Sequence, residues 1–316
     1  MNANYGIYRL KYRYGQYLPL TSPVDVSLEL ASKCNMRCGY CYHGDAEHLP
    51  FERGMMKLRT AREIIRQAAE LGVNSLKFNW KGESTLNPHF SKITAYAKRL
   101  ASHRTFIDRL SNSNFKFPTI RDDIFDGLCN QTKVKVSLDS FRKEVFEKQR
   151  AGGVWHLTMA NIEKFYHYPN RTNTELVIQA VRTTLNADED IAGEAKKRWP
   201  SATISIRDMV SGRLEKDVSA LEHKIRNPLE SRKSCLQAHV RVIFNWRGKA
   251  FVCCPDISEK LCMGDIKKDS LYDIFNSDKV KALRKDLKSK RAFESEPCKG
   301  CSSFETYVGY KPNWAS

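Results

Sequence analysis

Three cysteines stand in the run Cys34-Asn35-Met36-Arg37-Cys38-Gly39-Tyr40-Cys41, directly behind the apolar stretch Val24 to Leu30. No other feature constrains the chain so tightly. Thiolates are soft ligands that favour iron–sulfur clusters or zinc. A four-iron cube held by only three closely spaced thiolates keeps one iron open to a substrate or cofactor. Zinc sites usually pair cysteines as C-x2-C, with a second pair or histidines further on. The three-residue gap between Cys34 and Cys38 departs from that habit, so the run reads as a cluster motif before a zinc knuckle or three unrelated buried thiols.

The chain has 316 residues, 41% of them hydrophobic, enough for one large domain and a small one. It holds no run of eighteen apolar residues, and Met1-Asn2-Ala3-Asn4-Tyr5 does not open a signal peptide, so a cytoplasmic protein is expected. In that compartment ten cysteines point to metal before disulfides. Seven fall into patterned positions; Cys129, Cys254 and Cys262 are expected in the core or beside a site. A net charge of +17 attracts polyanions, which keeps nucleic acid, nucleotides and phosphorylated metabolites open as partners against a bland reading of solvated lysines.

From Val24 to about Ser211 short apolar runs alternate with amphipathic ones, the pattern of a parallel sheet with crossover helices. Strands are expected at Val24–Leu30, Ser75–Trp80, Thr105–Ser111, Lys133–Leu138, Glu175–Thr183 and Ala202–Arg207. Helices are expected at Thr60–Leu71, Asn87–Ala101, Ile120–Cys129, Trp155–Tyr166 and Asp188–Trp199. Six such units make an α/β fold, a partial (β/α)6 TIM-like barrel whose chemistry sits at the carboxyl ends of the strands. The expected divisions are an extension over 1–23, the barrel over 24–211, a linker over 212–234 with one helix at most, and a small α+β domain over 235–316. That last part reads as a hairpin, Val240–Asn245 and Lys249–Cys253, and a helix from about Leu271 to Lys288.

A second cysteine set lies in this final part. Cys235, Cys253, Cys298 and Cys301 would close a four-thiolate site, with Gly248 ahead of Cys253 and Cys254 as an alternative to it. Structural zinc would also choose four cysteines. The N-terminal tyrosines Tyr5, Tyr8, Tyr12, Tyr14 and Tyr17 interleave with Arg9, Lys11 and Arg13. They read either as a strand or hairpin capping the barrel or as a surface that stacks bases. Lys279, Lys281, Arg284, Lys285, Lys288, Lys290 and Arg291 form a second basic stretch, ordinarily the wet side of a helix.

The first cysteine run, with its aromatic Tyr40, resembles the signature of the radical S-adenosylmethionine (SAM) enzymes. The second set resembles the twitch domain, the shortened relative of the SPASM domain, which carries an auxiliary [4Fe-4S] cluster. The resemblance implies two [4Fe-4S] clusters and SAM as cofactors, with Cys34, Cys38 and Cys41 leaving one iron to chelate SAM. Lys81-Gly82-Glu83-Ser84 stands where the family has a Gly-Gly-Glu-Pro-like motif that meets the SAM amino group, and two of the four residues match. Ser111-Asn112-Ser113-Asn114, and Ser137-Leu138-Asp139-Ser140 followed by Arg150-Ala151-Gly152-Gly153, are similar to further family stretches. On this basis Tyr40, Gly82, Glu83, Ser84, Asn112, Ser113, Ser137, Asp139 and Arg182 are the candidate SAM-binding residues. Arg182, beside Asn186, reads equally as a solvated charge. Lys81 would add positive charge near the pocket, and His43 reads as a solvated loop residue.

The implied mechanism passes one electron from a flavodoxin or ferredoxin to SAM, which yields a 5′-deoxyadenosyl radical that takes a hydrogen atom from a substrate carbon. The auxiliary cluster would pass or accept an electron. The outcome is oxidation, crosslinking or rearrangement. The charge favours an anionic nucleotide, nucleic-acid base or phosphorylated metabolite; a peptide or an aminocyclitol is the alternative. A zinc-stabilised nucleic-acid binder without catalysis accounts for the charge and cysteines but not for the barrel units. No acid or base is singled out.

Overall fold

The computed structural model describes residues 3–45, 47–208, 235–294, 297–299 and 301. The chain opens on helix α1 (Ala3–Tyr14) and then alternates β1 (Asp25–Leu28), α2 (Leu58–Glu70), β2 (Ser75–Lys77), α3 (Phe90–Leu100), β3 (Asp108–Ser113), α4 (Asp122–Cys129) and β4 (Lys133–Ser137). Helices α5 (Lys143–Gln149) and α6 (Trp155–Tyr166), β5 (Glu175–Arg182), α7 (Ile191–Arg198) and β6 (Thr203–Asp208) complete the six units. All six strands pair in parallel. Helix α5 is the addition that sequence periodicity missed, being only two turns long. The proposed linker over 212–234 lies outside the described residues.

The last part is not a separate sheet. After the short turn α8 (Gln237–Val240), β7 (Arg241–Phe244) pairs in parallel with β1, and β8 (Lys249–Phe251) and β9 (Gly264–Asp265) follow antiparallel. One nine-stranded sheet results, ordered β6-β5-β4-β3-β2-β1-β7-β8-β9. The expected hairpin is β7–β8, turned at Gly248, whose φ of +88° suits glycine. The expected long helix is two, α9 (Leu271–Asn276) and α10 (Asp278–Lys288), because Ser277 leaves the helical region and its hydroxyl accepts from the Val280 amide as an N-cap. No helix among the described residues is long and apolar enough to cross a membrane.

Strand alternation explains the core. Val26, Leu28, Leu76, Phe78, Val134, Val136, Leu176, Ile178, Val242 and Phe244 all join the hydrophobic cluster between sheet and helices. Their neighbours therefore face the lumen. In a packed barrel that lumen is filled by branched aliphatics; here it takes Ser27, Lys77, Asn112, Lys135, Ser137, Gln179 and Ser205. Such a lining suits a ligand more than a core.

Helix α1 closes the amino end of the barrel, where a strand or hairpin had been expected. Tyr5, Tyr8 and Tyr12 recur at the i, i+3, i+7 spacing of one helical face, a period that the interleaved cations obscure. Tyr8 is buried and its hydroxyl donates to Asp108 (3.1 Å), at the start of β3. Tyr12 accepts from Arg241, whose Nε also donates to Asp25 (2.8 Å). The capping reading of the tyrosines is therefore correct in place and wrong in secondary structure.

Asp25 is wholly buried and also pairs with Lys77. Burial raises its pKa, but Arg241 and Lys77 outweigh that and hold it below the usual carboxylate range. Because the folded pKa is lowered, the stabilisation is present above about pH 4 and drains as pH falls through the folded value. Replacing Asp25 by Ala strands two cations, and we expect a loss of about 3–5 kcal/mol in urea unfolding. A loss below about 1 kcal/mol would show that the network contributes little.

Candidate functional site

The cysteine loop leaves β1 at the carboxyl end of the barrel and is clasped from two sides. Gly82 passes beneath it so closely that a Cβ there would lie 2.4 Å from the Lys33 carbonyl oxygen and 2.5 Å from that of Ala31, which leaves room only for glycine. The next amide, Glu83 N–H, donates to Lys33 O (2.9 Å). On the far side the end of α5 supplies Ala151 O to the Arg37 amide (2.6 Å) and Gln149 O to the Gly39 amide (3.4 Å). Gly152, at φ +79°, makes the turn that brings this segment against Asn35 and Met36.

Cys34, Cys38 and Cys41 are gathered here, close enough that Cys38 and Cys41 both act on the Cys34 thiol. Two polar groups aim at the sulfurs: Asn114 Nδ2 lies 3.9 Å from Cys34 Sγ and Arg150 Nη1 lies 3.8 Å from Cys38 Sγ. Burial pushes the Cys34 thiol up to about 12, with Glu83 adding to it, and the Cys38 thiol up to about 11 against the pull of Arg150. A cationic centre would supply the charge these thiolates lack. Among the described residues no three His, Cys, Asp or Glu side chains converge tightly enough to hold a single ion.

The predicted SAM-side residues divide into four groups. Tyr40, Asp139 and Arg150 form one buried network: the Tyr40 hydroxyl donates to Asp139 Oδ2 (2.6 Å), Arg150 Nη2 donates to Oδ1 (2.9 Å), and the Val181 amide donates to Oδ1 as well. Glu83 is likewise buried, accepting from Thr85 N–H (3.1 Å), Thr85 Oγ1 (2.7 Å) and Asn114 N–H (2.8 Å). Burial raises its pKa against those hydrogen bonds. Ser113 Oγ accepts from the Phe115 amide, and Ser84 Oγ donates to Phe78 O. Asn112 differs, since its Oδ1 is buried without a partner and faces the lumen; Ser137 faces the same way one layer higher. Arg182 turns to the Ala187 carbonyl (3.0 Å), whereas Asn186 is buried and donates to the carbonyls of Asp139 (2.7 Å) and Val181 (3.0 Å).

Two local expectations are corrected. His43 is buried, not solvated, with Nε2 against Lys81 O (3.1 Å) and its ring edge-on to Phe51. Lys81 adds no free charge to the pocket, because its buried ammonium pairs with Glu29 (3.6 Å) and Glu259 and lies over the Trp80 ring. Burial pushes Glu29 up to about 7 despite Lys81. Trp80 Nε1 donates to Cys254 O (2.8 Å), so the segment entering the Gly82-Glu83 turn also touches the second cysteine group.

In that second group Cys235, Cys253, Cys254, Cys298 and Cys301 come together: Cys301, Cys298 and Cys254 act on the Cys235 thiol, and Cys254, Cys235 and Cys301 on that of Cys253. Burial pushes Cys235 up to about 12. Both members of the adjacent pair therefore face the group. Cys129 sits in the core as expected, whereas Cys262 is exposed, a correction that follows from its place on the loop before β9.

Comparison with known proteins adds the family context. The radical SAM superfamily model matches residues 28–180, and the SPASM model, an iron-sulfur cluster-binding domain, matches residues 235–302. Among curated relatives, a GTP 3′,8-cyclase of Clostridium botulinum is 24% identical over 222 residues, 66% of each chain. An S-adenosylmethionine-dependent nucleotide dehydratase of Flammeovirga pacifica is 25% identical over 55% of this chain and 60% of its own. An S-adenosyl-L-methionine-dependent 2-deoxy-scyllo-inosamine dehydrogenase of Niallia circulans is 25% identical over 42% of this chain and 54% of its own. The chain thus spans less than two thirds of the length of these relatives. Among solved structures, BtrN in complex with AdoMet and 2-DOIA superposes with a TM-score of 0.58 at 18% identity, covering 88% of this chain and 92% of that one. Streptococcus suis SuiB superposes at 0.66 and 13%, covering 91% and 72%.

Proposed function

Because the chain belongs to the radical SAM superfamily and carries a C-terminal SPASM domain, we propose that it abstracts a hydrogen atom from an anionic substrate, a nucleotide before any other, held in the barrel lumen. A protein of this family is an enzyme that takes a [4Fe-4S] cluster and SAM, and the SPASM domain takes auxiliary iron–sulfur. When bound, these groups supply reductive cleavage of SAM and, from it, hydrogen-atom abstraction; the electron comes from a flavodoxin or ferredoxin.

The carrying observation is the clasped cysteine loop. Three thiols converge at the carboxyl end of the strands, and two N–H donors meet their sulfurs, the kind of contact that tunes cluster potential. In this reading Cys34, Cys38 and Cys41 hold the SAM-binding cluster, and Cys235, Cys298 and Cys301 hold the auxiliary one with Cys253 or Cys254. The spacing of the thiols favours cubes over zinc. The thiols influence one another without crowding around one ion, and a single zinc would need its sulfurs within about 4 Å of each other.

The chain's own work is placement. Asp139 fixes Tyr40 and Arg150 behind the loop. Glu83, locked by Thr85 and Asn114, sets the shape of the turn that would receive the SAM amino group; Ser113 and Ser84 brace it. Asn112 and Ser137, facing the lumen, are the polar groups left to meet ribose or carboxylate. Helix α1 plugs the amino end and keeps water from entering there. Arg182, engaged with Ala187, is the weakest of the candidates for SAM.

The nucleotide preference rests on the polar lumen, the +17 charge and the named activities of two of the relatives. In this reading the enzyme works in the cytoplasm, the reacting base is free or carried by nucleic acid, and the outcome is oxidation or rearrangement. Reconstituted protein incubated anaerobically with SAM, dithionite and a panel of nucleoside triphosphates, aminocyclitols and short peptides tests it. We expect one nucleotide to be consumed as 5′-deoxyadenosine accumulates. Consumption of an aminocyclitol or peptide alone would overturn the preference while leaving the enzyme class intact.

A further inference from the structure

The lumen carries charge that the cofactor reading does not use. Lys133 and Lys135 face inward along β4, register-paired with Leu110 and Asn112 on β3 and with Glu175 and Val177 on β5. Most lumen cations are matched: Lys77 and Arg241 by Asp25, Lys133 by Glu175 (3.0 Å), and Lys81 by Glu29 and Glu259. Lys135 and Arg207, on β6, have no ion pair or hydrogen bond among the described residues, although the two are near enough to repel. Burial and then Arg207, Lys77 and Lys133 push Lys135 down to about 8, with Asp108 alone opposing them.

Two polar side chains beside this pair are also unsatisfied. Asn112 is the direct cross-strand neighbour of Lys135, and its Oδ1 is buried with no partner. The Oδ1 of Asn79, just past β2 and alternating with the core residue Phe78, is orphaned in the same way. Buried polar groups in proteins are ordinarily paired, and leaving them unpaired costs stability. The two amide oxygens await hydroxyl or amide donors, and the two unmatched cations, facing the lumen from β4 and β6, are what an anion would complete.

We propose that Lys135 and Arg207 form a subsite for a phosphate group of the substrate on the β4–β6 side of the lumen, away from β1 and the cysteine loop that follows it. The inference rests on the reading that the lumen holds the substrate. Lys135 stands two residues before Ser137 along β4, about 7 Å toward the amino end, and Arg207 stands two residues beyond Ser205, which shares the Ser137 layer through Gln179, so the two cations approach a phosphate from either side of that layer. Two cations balance a dianionic phosphate, the guanidinium fork of Arg207 matches its oxygens, and the orphaned Asn79 and Asn112 oxygens, being acceptors, are left for hydroxyl groups.

Calorimetry on the anaerobically reconstituted full chain with SAM tests this, using inorganic pyrophosphate, GTP and glucose 6-phosphate as probes and guanosine as the phosphate-free control. Lys135→Met, which keeps the stem and drops the charge, should weaken the tightest phosphate probe about tenfold to a hundredfold, while Lys135→Arg retains most of the affinity. The SAM-induced change in the cluster's electron paramagnetic resonance spectrum should persist in both. Arg207→Gln, at an exposed position, should weaken the same probe and covers the case in which Lys135→Met does not fold. Equal affinity in the charge-removing variants, guanosine binding as tightly as GTP, or no phosphate probe binding the wild type would overturn the subsite. Absence of the SAM-induced spectral change in the wild type would instead overturn the cofactor reading beneath it. Which probe binds tightest separates a nucleotide source of the phosphate from a sugar phosphate.

Discussion

Cys38→Ala reduces 5′-deoxyadenosine formation from SAM to the level of dithionite alone. Cys38 is the most buried of its trio and the one whose sulfur meets Arg150. Removing that thiolate uncovers a second iron and leaves a buried guanidinium without its sulfur partner, so the cube is lost or cannot hold SAM in one orientation. The control is Cys129→Ala, which deletes a buried thiol in the core cluster, remote in sequence from both cysteine groups. It should cost only packing, about 1 kcal/mol, and leave 5′-deoxyadenosine formation intact. Chromatography of anaerobic reactions reads both, and wild-type levels of cleavage in Cys38→Ala would remove the assignment of this loop to the SAM-binding cluster.

Cys298→Ala should lower iron from about eight to about four per chain and abolish conversion of substrate while SAM is still cleaved without coupling. The separation is expected because the first trio and the SAM-side turn are held by Lys33, Asn114, Gln149, Arg150 and Ala151, all within the barrel units. Full iron content in this variant would dismiss the auxiliary site. The same assay resolves the adjacent pair, since the member whose replacement by Ala halves the iron is the ligand. Cys254 carries a second duty through the Trp80 hydrogen bond to its carbonyl, but that bond uses backbone and survives the substitution.

The six barrel units were legible because each strand is bounded by turn residues and each helix by a clear apolar stripe; α6 was placed to the residue. The cysteine sets were legible because ligand spacing survives in one dimension. Other features were hidden for physical reasons. Helix α1 mixes tyrosines with cations, so its period of 3.6 looks like alternation. The burial of His43 and the pairing of Lys81 depend on Glu29, Phe51 and Glu259, which come from three separate segments. Orphaned amides at Asn79 and Asn112 leave no sequence signal, because an unpaired group is defined by what the fold fails to bring near it. Gly82 carried such a signal: a lone glycine after a strand marks a close backbone approach, and here the backbone it admits is that of the cysteine loop.

The parallel ladder between β1 and β7 has a mechanical meaning. Cys34 lies a few residues beyond β1, and Cys253 follows the strand that pairs with β7. One thiol of each sulfur group thus follows a strand of a single hydrogen-bonded plate. Electron tunnelling falls steeply with separation, so strand register, which sets the spacing between the two anchor points, would help to keep that gap steady through each turnover.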